Sequence, residues 1–106
     1  MYILIPDWVP DEFVPVSAAH AALKSYLKFK ECPHTINWLD NSFKKVVVRV
    51  NEDQLEHIRH YYGNEPVEIT ESNLDFMLTA VALRVQPEYP EFMRKYKLWK
   101  PKKKPR

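Results

Sequence analysis

The chain has 106 residues, 45% of them hydrophobic and 28% charged, with a formal net charge of +2. That length corresponds to one domain of ordinary size, and the apolar share is enough for a single core. No apolar run approaches the ~18 residues of a membrane span, Met1–Ile5 lacks the length, basic flank and cleavage site of a signal peptide, and the lone cysteine, Cys32, excludes an internal disulfide.

A reducing, cytoplasmic setting is therefore expected. The charge is unevenly spread. Residues 1–87 carry 8 Lys+Arg against 12 Asp+Glu, a balance of −4, whereas residues 88–106 carry 8 against 2, a balance of +6. The expected division is a mildly acidic α/β domain over 1–87 and a basic C-terminal extension over 88–106. A basic block points to anionic partners such as nucleic acid, and a merely solvated tail is the plain alternative.

In chain order, Tyr2–Ile5 is a short apolar run stopped by Pro6, as expected of a buried strand. Asp7–Pro15 holds three acidic residues, two prolines and one tryptophan, which predicts a loop. Pro15 suits a helix N-terminus, where its missing N–H costs nothing. Val16, Ala19, Leu23, Tyr26 and Leu27 then follow helical spacing and predict the apolar face of a helix ending near Lys30–Cys32, before Pro33.

Pro33–Phe43 reads as a connection with an apolar kernel of Ile36, Trp38 and Leu39. Lys45–Val50 is the clearest strand, β-branched and nearly continuous. Asn51 and Gln54 have capping-box spacing, Leu55, Ile58 and Tyr62 give the next helix its stripe, and Gly63 suits its C-terminal cap. Val67–Thr70 and Thr79–Val85 predict two further strands around a loop. Residues 91–99 then offer one or two amphipathic turns. The order β-α-β-α-β-β predicts a small mixed sheet of four strands with helices on both faces.

Motifs of known spacing are few. One glycine leaves no phosphate-cradling loop. Cys32 with His34, and His57 with His60, lack the four-ligand pattern of a zinc site, so no metal is expected. Cys32 beside a histidine can be written as a nucleophile pair, although a lone helix-end cysteine is more often structural. His20 has a better position. It lies in the second turn of a helix that follows the first strand, a place where ligands gather in open α/β sheets, and Ser17 shares its face at i−3.

The stretches AAHAAL (18–23), KVVVRVNEDQLEHI (45–58), VEITES (67–72) and TAVALRV (79–85) together resemble the type 2 peptidyl-tRNA hydrolases over about residues 1–87. The resemblance implies a four-stranded mixed sheet with helices on both faces, frequent dimerisation and hydrolysis of the ester joining peptide to tRNA without a cofactor. Carried over by position, His20 matches the helix signature, Thr70 and Glu71 fall on a Thr-Asp pair, and Thr79 falls on the threonine opening the last strand. Phe13 and Ser17 stand where the family has an active-site lysine and glutamine.

On this reading His20 and Glu71 position water, and Ser17 and Thr79 hydrogen-bond the ester end. Lys24, Lys28, Lys97, Lys100, Lys102, Lys103, Lys104 and Arg106 hold tRNA phosphates, with Tyr96 and Trp99 open to base stacking. The alternatives are a non-catalytic RNA-binding module on the same fold, or an inhibitor-type protein whose acidic loop Asp7–Glu12 meets a basic partner.

Overall fold

The computed structural model describes residues 1–102, so Lys103, Lys104 and Arg106 lie outside the described residues. The chain runs β1 (Tyr2–Pro6), α1 (Val14–Phe29), α2 (Pro33–Asp40), β2 (Val46–Val50), α3 (Glu52–Tyr62), β3 (Val67–Glu71), β4 (Met77–Ala82) and β5 (Lys97–Leu98). Among the described residues these strands form one five-stranded mixed sheet in the order β3-β4-β1-β2-β5. β1 is parallel to β2 and antiparallel to β4, while β3–β4 and β2–β5 are antiparallel.

The side-chain period of two splits the sheet into two faces. Ile3, Ile5, Val67, Ile69, Ala80 and Ala82 face α1 and α2 with Val14, Ala21 and Trp38. Leu4, Val48, Val50, Val81 and Leu83 meet Leu55 and Ile58 of α3 on the other side. Helices thus cover both faces of a mixed sheet. No helix among the described residues is long and apolar enough to cross a membrane.

Local signals account for most boundaries. Pro15 lies in the first turn of α1 and Pro33 opens α2. Asn51 and Gln54 make both bonds of a capping box at α3: Gln54 N–H donates to the Asn51 side chain at 2.8 Å, and Asn51 N–H to Gln54 Oε1 at 2.9 Å. Gly63 ends α3 at φ 62°, ψ −130°, a conformation that side chains rarely adopt, while its N–H donates to the Arg59 carbonyl.

Four expectations change. Residues 33–43 are not an open connection: α2 forms there because Trp38 and Thr35 reach the core from one helix face. The strand expected over 79–85 spans Met77–Ala82. In the loop before it, a 3-10 turn at Ser72–Leu74 is followed by Asp75 and Phe76 at φ 52° and 60°. The sheet has a fifth strand beyond the expected four, drawn from the basic extension, whose Met93 is 1% exposed and whose Tyr96 is also buried. The folded unit therefore continues well past residue 87.

The face of α1 is the fourth change. Val16, Leu23 and Leu27 follow helical spacing but are 54%, 59% and 54% exposed, and the buried positions are Val14, Ser17, Ala21 and Ser25. The hydroxyls make this possible because both find partners: Ser17 Oγ reaches Thr79 Oγ1 at 2.9 Å and Ser25 Oγ reaches the Leu83 carbonyl at 3.5 Å. Small side chains let the helix approach the sheet closely, and the larger ones are turned outward.

Met93 reports on the extension directly. Met93→Ala is expected to cost about 2–5 kcal/mol, the range for truncating a buried large side chain, measured by urea unfolding of the full chain. A detachable tail would give a change within about 0.5 kcal/mol, as at surface positions.

Candidate functional site

The opening turns of α1 bring Ser17 against Thr79 of β4. Thr79 Oγ1 accepts the Ser17 hydroxyl and itself donates to the Ile69 carbonyl of β3 at 3.4 Å. Ser17 is 1% exposed and Thr79 fully buried. These hydroxyls form a short relay from helix to inner strand to outer strand, with their bonds directed to each other and to backbone. In this geometry they fasten α1 to the sheet and are closed to an ester in solvent.

His20 and Glu71 are differently disposed. His20 is exposed and lines an open trough of about 390 Å³ between α1 and β3, together with Leu23, Lys24, Leu27, Glu68, Ile69 and Thr70. Glu71 ends β3, and its Oε1 accepts the backbone N–H of Asn73 at 3.1 Å, holding the turn that follows. It does not line the trough. His20, Lys24 and Thr70 therefore share one site, while Glu71 stands outside it. The i,i+4 spacing of His20 and Lys24 signals their common face; Thr70 joins them only through the packing of α1 beside the outer strand.

The expected phosphate-binding residues divide as well. Lys24, Lys97 and Lys100 are exposed. Lys28 is occupied, donating to the Asn64 and Glu65 carbonyls at 3.4 and 2.8 Å. Lys102 folds back onto the acidic loop: its N–H donates to Asp11 Oδ2 at 2.6 Å and its ammonium to the Asp7 carbonyl. The acidic loop thus meets the chain's own basic segment. Tyr96 is buried, and Trp99 is half-buried against the core, its backbone N–H donating to the Val47 carbonyl. Both support β5, and the Arg49 guanidinium lies 5.6 Å from the Trp99 ring centre.

Sequence reading did not single out Arg49. Its guanidinium lies 3.8 Å from Asp11 Oδ1 and 5.6 Å from the centre of the Trp99 ring. Beside it, Asp7, Asn51, Gln54, Lys95 and Lys97 line a crevice of about 220 Å³ at the carboxyl ends of β1 and β2. An arginine inside a valine-rich strand is the sequence signal for this site, since a fully enclosed central strand has no place for it.

Cys32 occupies the extended position before α2. Its thiol is drawn below its ordinary range, chiefly by the backbone N–H of His34. Burial opposes that shift, and the N–H of Thr35 and the Arg84 guanidinium, 3.9 Å away, add to it. Among the described residues no three His, Cys, Asp or Glu side chains come together as a metal site. His57 stacks on Phe92 with ring centres 4.3 Å apart. No family model matches the chain, and no curated protein matches it.

The thiol shift has a direct readout. Alkylation by iodoacetamide, followed against pH, is expected to titrate below the range of a free cysteine, because the folded form favours the thiolate. Arg84→Gln removes one source of that preference, so the apparent pKa rises and the rate at neutral pH falls. Identical profiles for the two proteins would show that Arg84 has no hold on the thiol.

Proposed function

We propose that this chain is a non-catalytic, RNA-contacting protein built on a fold like that of the type 2 peptidyl-tRNA hydrolases. Support for the fold comes from the resemblance in helix signature and strand order, together with a mixed sheet covered by helices on both faces. The absence of hydrolysis is inferred from the site. Phe13 and Ser17 supply neither a cation nor an amide, Ser17 and Thr79 are bonded to each other, and Glu71 is held by the turn at Asn73. Oxyanion donors are worth about 10²–10³ each in rate, so a site lacking them loses most of its power over the ester.

The observation that carries RNA contact is the row Arg94, Lys95, Lys97 and Lys100, four exposed cations within seven residues around β5. Arg49 and Lys97 extend the positive charge into the crevice at the carboxyl ends of β1 and β2. Lysines act there as point charges on a phosphate backbone, giving affinity with little sequence preference. The reading carries a cytoplasmic setting, tRNA or another RNA as partner, pairing as a homodimer, and no cofactor.

Anisotropy of labelled tRNA, measured against salt concentration in the full chain, tests it. Binding is expected to weaken steeply with salt, and replacing Lys95, Lys97 and Lys100 by Gln is expected to flatten the log–log slope by about one per lysine. Absent or salt-insensitive binding would remove the proposal.

A second reading, residual hydrolysis, is favoured by the common trough of His20, Lys24 and Thr70. Release of peptide from an N-acylated aminoacyl-tRNA separates the two. The expected result is no release above background; turnover that disappears in His20→Ala would establish the enzyme instead.

A further inference from the structure

Across Leu23 from the trough, α1 and the segment after α2 line a second, apolar recess. Ala19, Ala22, Leu23 and Tyr26 form one wall, Trp38 the base, and Phe43 and Lys45 the other wall, around about 280 Å³. The space exists because alanines stand where leucines would fill it. Its base is fixed, since Trp38 is buried and its indole N–H donates to the Lys44 carbonyl at 2.6 Å.

Phe43 is held at φ 49°, with its N–H donating to the Trp38 carbonyl at 2.7 Å. A bulky residue in the left-handed region is a conformational outlier, and such strain gathers at ligand sites. The strained backbone leaves a half-exposed ring 5.0 Å from Trp38, turned onto the recess. The Lys45 ammonium lies 3.1 Å from the Phe43 ring centre and 5.5 Å from that of Trp38, and it donates to the Phe43 carbonyl. Among the described residues no carboxylate pairs with it.

We propose that this recess is a binding site for a small aromatic carboxylate. The ring system lies against the Trp38–Phe43 pair on one side and Tyr26 and the alanines of α1 on the other, and the carboxylate meets Lys45. The volume suits one flat group, since about 150 Å³ of apolar space suffices for benzene. The single cation at the rim of an otherwise apolar lining selects an anionic head over a neutral one. This site stands independently of RNA contact.

The probe is 2-naphthoate, with 2-naphthamide as its neutral counterpart, titrated into the ¹⁵N-labelled full chain. Saturable shifts are expected at the amides of Ala19, Ala22 and Phe43 and at the Trp38 indole N–H. Lys45→Gln is expected to weaken naphthoate by up to about fivefold, the value of an exposed ion pair, while leaving naphthamide unchanged. Ala19→Leu, at an exposed helix position that tolerates the change, fills the recess and removes binding of both. Shifts confined to other surfaces, no saturation, or equal response of the two probes to Lys45→Gln would overturn the proposal.

Discussion

The packing of α1 on the sheet rests on a hydroxyl relay. Ser17 bonds Thr79, Thr79 bonds the Ile69 carbonyl, and Ser25 bonds the Leu83 carbonyl eight residues along the same helix face. A buried hydroxyl left without a partner costs about 1–3 kcal/mol, and the two on this helix face avoid that cost. Once bonded, they allow a helix face made of Val14, Ser17, Ala21 and Ser25 to lie closer to the strands than leucines would permit. The roll of α1 about its own axis follows from this constraint.

That roll produces both recesses. With its small residues inward, α1 turns His20, Leu23, Lys24 and Leu27 toward the outer edge of β3 on one side. On the other it turns Ala19, Ala22 and Tyr26 toward Trp38 and Phe43. Leu23 borders both. A conventional apolar stripe on the same helix would have buried the leucines and closed the two spaces together. The opposite end of the sheet is organised by charge, with Arg49 placed between Asp11 and Trp99 and the C-terminal segment laid across it.

The elements with strong local signals were legible in the sequence. Asn51 with Gln54, Pro15, Gly63 and the valine run of β2 each determine their surroundings through bonds a few residues long. What escaped was set at long range. The spacing of Val16, Leu23 and Leu27 marks a helix but not which face is buried, because partners for Ser17 and Ser25 lie on β4 and just beyond it. The kernel Ile36-Trp38-Leu39 looked like a connection because eight residues are few for a helix, and what holds it is the burial of Trp38 with its indole N–H bonded to the Lys44 carbonyl. The basic composition of 88–106 concealed Met93, one apolar residue whose fit against α3 and the sheet makes that segment part of the core.

The placement of β1 bears on how the sheet closes. It is the central strand, and Tyr2 pairs with Val46 while Ile3 pairs with Ala82. Neither edge of β1 is covered until those distant residues are in place, and the outer edge of β2 needs Leu98 and Lys97. Nearly the whole chain must therefore be available before the sheet closes, and contacts so far apart in sequence make for slow closure. Until then YILI is an exposed apolar strand, and Pro6 and Asp7, immediately after it, are the residue types that restrain such strands from pairing with other chains.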